Sequence, residues 1–115
     1  MKNLVNKLDH VALQVDSISD AVEWYKNTID AEVIYHDVTW ALIKIFDVKV
    51  ALVRPEDHPT HIAFQSDNLE GIKDHLNMSK IGKHRDDSEY IYLKDPFGNA
   101  IEWVRYPNKN RSEKL

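Results

Sequence analysis

The chain has 115 residues, no cysteine and a formal net charge of −4. That length normally makes one domain with a core that needs no disulfides. The missing thiols exclude a disulfide scaffold, a thiolate metal site and a cysteine nucleophile, and scattered rather than clustered Lys and Arg argue against nucleic acid as the main partner.

The opening MKNLVNKLDH lacks an apolar run of signal-peptide length and no stretch approaches a membrane span, so a soluble cytoplasmic protein is expected. Leu8 to Val15 alternates. His10, Ala12 and Gln14 point one way and Val11, Leu13 and Val15 the other, which predicts a strand with two unlike faces. Ser17 is placed to cap a helix, with Asp20 favouring its N-terminus, and Ile18, Val22, Tyr25 and Ile29 recur at helical spacing. Three β-rich runs follow, Glu32 to His36, Thr39 to Phe46 and Val48 to Arg54, and then RPEDHPT, whose two prolines mark a linker. His61 to Gln65 predicts a strand, Leu69, Ile72 and Leu76 a short helix, Ile81 to Arg85 a weak strand, and Ser88 to Lys94 and Ala100 to Tyr106 two more. The tail PNKNRSEKL is polar and aperiodic and is expected to fray.

HVALQV at residues 10–15 and HIAFQS at residues 61–66 are nearly one hexapeptide written twice at an offset of 51. The same ungapped offset matches Asp16 to Asp67, Val53 to Val104 and Arg54 to Arg105. Such self-similarity sets the architecture before any single element does. The expected fold is therefore α+β: two β-α-β-β-β modules in tandem within a single domain. Module one covers about 8–54, the linker 55–60, module two 61–106 and the tail 107–115. One such module encloses nothing by itself, whereas two related by a pseudo-twofold can close their sheets into a cup.

That duplication makes His10 and His61 equivalent residues on equivalent strands. The last strand adds Glu102 in NAIEWVRY, an acidic residue in an apolar run that is costly to bury unpartnered. Two imidazoles and a carboxylate form a set that holds a divalent metal and leaves positions open for substrate. Mn, Fe, Ni and Zn all suit it. At the same offset Glu102 corresponds to Ala51, so the pseudo-symmetric fourth ligand is missing. His36, His58, His75 and His84 have no such counterparts and are read as surface or loop histidines.

LDHVALQV followed by AVEWYKNTID, and YIYLKDPFGNAIEW near the end, resemble the vicinal oxygen chelate superfamily of glyoxalases, bleomycin-resistance proteins and extradiol dioxygenases. The resemblance spans about residues 8–106 and implies metal-ligand roles for His10, His61 and Glu102, with Glu102 also acting in catalysis, and two sheets wrapped around the metal. It further implies a small substrate that presents adjacent oxygens to the metal, which stabilises charge developing in the reaction. Lyase, isomerase or transferase chemistry is the leading expectation. An Fe(II) extradiol-type dioxygenase and a metal-free small-molecule binding protein of the bleomycin-resistance type are the alternatives.

The sequence also departs from the family pattern. Ala51-Leu52-Val53 stands where glyoxalase I and the epimerases carry a fourth ligand, and Asp30-Ala31 replaces a glycine-containing turn. The three-ligand pattern is nearest the fosfomycin-resistance transferases, yet Ala12 replaces their threonine and Gly82 falls near their phosphonate-holding lysine; Tyr92 matches a tyrosine of their pocket. Gln14, Gln65, Tyr90, Tyr92 and Lys49 share the parity of cup-facing residues and are the expected substrate contacts. No membrane or nucleic-acid partner is expected. A homodimer is, with metal sites shared between chains: prolines in the linker would discourage fold-back, so that His10 would come from one protomer and His61 with Glu102 from the other. Trp103, on the outer face of the last strand, would then supply apolar contact area together with Trp24 or Trp40.

Overall fold

The structure is a computed structural model describing residues 4–76, 80–84 and 86–107. The expected fraying of the tail concerns residues that, from position 108 on, lie outside this range. Among the described residues no helix is long and apolar enough to cross a membrane.

The chain runs β1 (Lys7–Gln14), α1 (Ile18–Ile29), β2 (Glu32–His36), β3 (Trp40–Ile45), β4 (Val48–Val53), β5 (His61–Gln65), α2 (Leu69–His75), β6 (Gly82–Lys83), β7 (Glu89–Lys94) and β8 (Ala100–Arg105). This is the α+β pattern of β-α-β-β-β twice over. It forms two compact units, one of His10–Ile62 and one of Met1–Asp9 with Ala63–Leu115. Strands β1 and β5 each contribute residues to both units.

In the unit His10–Ile62 the strand order is β2-β3-β4-β1. β2, β3 and β4 are antiparallel neighbours, and β1 lies parallel to β4 with Ala12 opposite Ala51 and Leu13 opposite Leu52. The alternation of the sequence is realised on both strands. Leu13 and Val15 pack with Val50, Leu52, Ile43 and the α1 residues Ile18 and Val22, while Ala12, Ala51 and Val53 cluster on the opposite face. α1 starts as expected, with the Ser17 side chain accepting from the Asp20 amide at 3.2 Å. Its end is closed by Asp30 at φ 59°, the left-handed conformation usually given to glycine, and the Asp30 and Ala31 amides reach back to the carbonyls of Lys26 and Tyr25. Aspartate tolerates this conformation better than most side chains, which is how Asp30-Ala31 does the work of a glycine turn.

The linker does not act as a stiff spacer. Residues 54–58 form a tight turn in which the Asp57 and His58 amides both bond to the Arg54 carbonyl at 3.0 and 3.1 Å. Arg54 braces it by donating to Asp57 at 2.7 Å, and Gln14 Nε2 donates to the His58 carbonyl at 2.8 Å. The two prolines fix φ values compatible with this reversal rather than opposing it. The chain therefore returns to the start of β5 beside β1.

In the other unit the order is β5-β8-β7-β6, the counterpart of the first. Its core joins Leu69 and Ile72 of α2 to Ile91 and Trp103, with Phe64, Leu93 and Ile101 packed around them. Trp103 is 6% exposed. Its parity relative to Glu102 is as expected, but its face is covered by α2 of the same unit, so it offers no outer contact surface. The weak strand expected over 81–85 is reduced to Gly82–Lys83, with Arg85 outside the described residues. Gly82 pairs with Tyr90, whose ring lies where a Cβ on residue 82 would sit, 2.5 Å from its nearest ring atom.

Arg105 ties α2 to this sheet. Its Nη1 and Nη2 donate to the two Glu70 oxygens at 2.6 and 2.7 Å, and its Nε donates to Glu89 at 3.0 Å. The Arg105 hydrogen bonds hold the Glu70 carboxyl down at about 2, below its ordinary 4.5. A depressed carboxyl pKa stabilises the fold above 4.5, and that contribution is lost as pH falls from 4.5 toward 2. Glu70 is largely exposed, so solvent screening limits the pair to about 1 kcal/mol. Arg105→Met should cost about that much at pH 7 and should remove part of the acid-induced loss in this window. Thermal melts of both proteins from pH 7 to 2 check it; an unchanged neutral-pH melt would show that the pair contributes nothing.

Candidate metal and substrate site

His10 and His61 open on each other within the unit His10–Ile62. Their Nε2 atoms are 3.3 Å apart, with the rings edge to face. His61 is 5% exposed, and its Nδ1 lies 2.8 Å from the Pro59 carbonyl. A carbonyl only accepts, so Nδ1 donates its hydrogen to Pro59, which leaves Nε2 facing His10. This is the outer-shell arrangement that fixes the tautomer and aim of a metal-ligating histidine. The 54–58 turn and the extended Pro59-Thr60 step that follows supply it. Both histidines lie in one unit of this chain, where their Nε2 atoms face each other.

Glu102 sits in the other unit, on β8, and is 2% exposed. Its Oε2 lies 2.8 Å from His84 Nε2, and Tyr92, directly opposite it in the β7–β8 register, is a second hydrogen-bond partner. Burial, followed by the nearby Glu102 charge, pushes the Tyr92 hydroxyl well above its ordinary range, so it is a neutral donor. Tyr90 stands edge to face with Tyr92 at 5.5 Å and stacks on the His84 ring at 4.1 Å.

His84 is a loop histidine, as expected, lying just after β6 and half-buried, but its contact with Glu102 was not foreseen. No local signal could have found that contact: the residue sits in a loop after the two-residue β6, and its partner lies 18 positions away. His36 and His75 are exposed, as expected.

The approach to β8 is set by the Asp-Pro-Phe-Gly-Asn turn. Asp95 Oδ1 accepts from the amides of Phe97 and Asn99 at 2.8 and 2.9 Å, and Gly98 takes φ 89°, which a side chain would strain. Of the expected substrate contacts, Tyr90 and Tyr92 share the half of the sheet that carries Glu102. Lys49 is half-buried on β4. Gln14 gives its amide to the His58 carbonyl, and Gln65 gives its own to Asp9 at 2.8 Å. Asp9 also accepts from Tyr106 Oη, at 3.1 and 3.0 Å from its two carboxylate oxygens, a buried contact the sequence did not suggest.

The sequence model of the Glyoxalase/Bleomycin resistance protein/Dioxygenase superfamily matches residues 7–103. The chain belongs to this superfamily. Among proteins similar to this superfamily member is the metallothiol transferase FosB of Staphylococcus epidermidis, 26% identical over 95% of this chain and 88% of that protein. The methylmalonyl-CoA epimerase of Mycobacterium tuberculosis shares the fold with TM-score 0.76 at 18% identity, covering 95% of this chain and 93% of its own. A superfamily member from Vibrio splendidus 12B01 does so with TM-score 0.73 at 12% identity, covering 86% and 99%. At those two identities the likeness is one of fold.

Proposed function

We propose that this superfamily member is a metal-dependent enzyme that binds a divalent metal through His10, His61 and Glu102 and acts on a small substrate presenting adjacent oxygens. The observation that carries the reading is the facing pair of Nε2 atoms, 3.3 Å apart, with His61 Nδ1 anchored on the Pro59 carbonyl. The two imidazole nitrogens hydrogen-bond to each other here, and the same pair aimed at one point is a donor set that suits a cation. The donor set fits Mn, Fe, Ni or Zn, and the similarity to a metallothiol transferase agrees with such a cofactor. When bound, the metal would act as a Lewis acid on the substrate oxygens.

The chain's own groups would do the rest. His61 is held in the ligating tautomer by Pro59. Glu102 is oriented by His84 and Tyr92, and the Tyr90 ring lies beside them. Ala12 and Ala51 lie on the His10 face of β1 and β4, buried together with Val53. Lyase, isomerase or transferase chemistry is the class proposed.

The protein is further proposed to be a homodimer. A site shared between chains would have to join both histidines of one protomer to Glu102 of its partner. We expect a complete set within each chain instead, because β5 begins at His61 and the residue that follows the strand, Ser66, bonds through its amide to the Val104 carbonyl of β8 at 3.0 Å. The test loads purified protein with Mn, Fe, Ni or Zn and measures metal per chain. About one equivalent of at least one metal is expected, and none with any would remove the enzyme reading. Mixed His10→Ala and Glu102→Ala chains should then hold no metal, whereas a regained half-equivalent would establish sharing.

A further inference from the structure

Resting on the homodimer reading above, and on no part of the metal site, we infer that the outer edge of β2 is the dimer surface. There Glu32–His36 pairs antiparallel with the same strand of a second copy, about a twofold axis at Ile34. β2 ends the strand order of its unit, bonded to β3 on one side, and among the described residues no strand lies on its other side. Every residue from Glu32 to His36 is exposed. Sheet edges are usually blunted by lysine, proline, short length or a bulge. EVIYH holds neither lysine nor proline. Its one such device is the bulge, which leaves Ile34 out of the ladder with β3.

The fold does not impose this apolar edge. At the offset of 51, Val33, Ile34, Tyr35 and His36 correspond to His84, Arg85, Asp86 and Asp87, and the edge strand of the other unit, β6, is only Gly82–Lys83. The same place in the duplicated module is thus short and charged in one copy, and longer and apolar in the other. Of the eleven exposed large apolar side chains among the described residues, five fall within ten consecutive positions: Ile29, Val33, Ile34, Tyr35 and Val38. An apolar patch concentrated in this way marks an interaction surface.

The strand's own order of residues selects a second copy as its partner. Antiparallel self-pairing centred on Ile34 sets Glu32 opposite His36, Val33 opposite Tyr35 and Ile34 opposite itself. A carboxylate meets an imidazole at both ends, with apolar pairs between them. A closed twofold contact requires this kind of self-complementarity. The His36 contact with Ser19 Oγ, at 3.4 Å, is long and exposed, and a carboxylate is the stronger partner. Tyr35 is already ordered, its hydroxyl donating to Asp37 and its ring tilted against Trp40 at 4.9 Å, so pairing costs little side-chain entropy there. One strand pair with its flanking residues falls at the small end of specific interfaces, below roughly 1,200 Å², so the association is reversible.

The chain has no cysteine, so introduced thiols report proximity without background. Directly opposed residues of an antiparallel pair lie about 4.5–5.5 Å apart at Cα, within disulfide reach. Ile34→Cys is therefore expected to form a disulfide-linked dimer under mild oxidation. Phe46→Cys, at a 91% exposed residue between β3 and β4, is expected not to. Glu32→Cys and His36→Cys should each fail to cross-link alone, because four residues of strand separate like positions by roughly 13 Å. Mixed, they should cross-link. In sedimentation, the wild type is expected as a reversible dimer. Ile34→Lys sets two ammonium groups against each other and should raise the dissociation constant at least ~10-fold. Ile34 is 42% exposed, so the melt of this variant should match that of wild type at concentrations where both are monomers. A wild type that stays monomeric up to its solubility limit overturns both the homodimer reading and this inference; an extended peptide bound by that monomer would make the edge a site for a different chain. A dimer that Ile34→Lys leaves intact, or that cross-links no better at residue 34 than at residue 46, overturns this inference alone, since the copies then meet by another face. Cross-linking of Glu32→Cys with itself overturns the register.

Discussion

His61→Ala should abolish stoichiometric metal binding while leaving the protein folded. His61 is one of the three proposed ligands, and its Nδ1 bond to Pro59 orients it. Losing a ligand should cost more than the ~100-fold that an outer-shell change does, enough to leave the variant metal-free after desalting. The cost to the fold should be small by comparison. The ring is packed edge to face on His10 at 5.4 Å, and its removal leaves an imidazole that can turn toward water rather than a stranded charge. Metal content by elemental analysis, with a melt of the metal-free protein, reads both. The same variant separates an enzyme from a metal-free binding protein. A binder of the bleomycin-resistance type would keep most of its ligand affinity without His61, and a His61→Ala protein that retains a full equivalent of metal would refute the ligand assignment.

Leu52→Ala should produce the largest loss of stability among simple truncations. Leu52 is fully buried, stands opposite Leu13 of β1 and Ala41 of β3, and joins the core under α1. Truncating a leucine so placed loses its transfer energy and leaves a cavity, together about 2–5 kcal/mol. For a domain of this size that is a fall of roughly 8–20 °C in Tm. Leu52→Met, which conserves volume, should cost less than about 1.5 kcal/mol. Val38→Ala, at a residue 80% exposed, should change stability by less than about 0.5 kcal/mol. Denaturant titration of the three variants measures the series, and a Leu52→Ala cost below about 1 kcal/mol would show that the core lies elsewhere. The neighbouring residues make this prediction functional as well. Ala51 and Val53 flank Leu52 on the opposite face, so a strand shifted by the cavity carries the His10 side of the sheet with it.

The sequence alone specified the parts of this protein that follow from short-range physics. The offset of 51 implied two equivalent modules, and the repeated Ala12 and Ala63 are both fully buried in equivalent strands. Alternation on β1 and β4 separated the helix-facing core from the small-residue face, because side chains on a strand reverse direction at every step. Ser17 announced the start of α1, and Asp95 and Gly98 the turn into β8, since each acts on amides within four residues of itself. The family membership was legible in the same motifs.

What the sequence left open depended on contacts between segments. Parity put Trp103 opposite Glu102 but could not say that α2 would cover it, because period two distinguishes faces without naming their neighbours. Prolines in RPEDHPT read as stiffness, whereas the Arg54 carbonyl, the Asp57 carboxylate and Gln14 together made a reversal of them. The two histidines were singled out as a pair by repetition, yet their 3.3 Å approach follows from that reversal. His84 was invisible for the same reason. Nothing in the loop after the two-residue β6 favours a histidine, and its contact exists only because the β6–β7–β8 register carries it to a carboxylate 18 residues away.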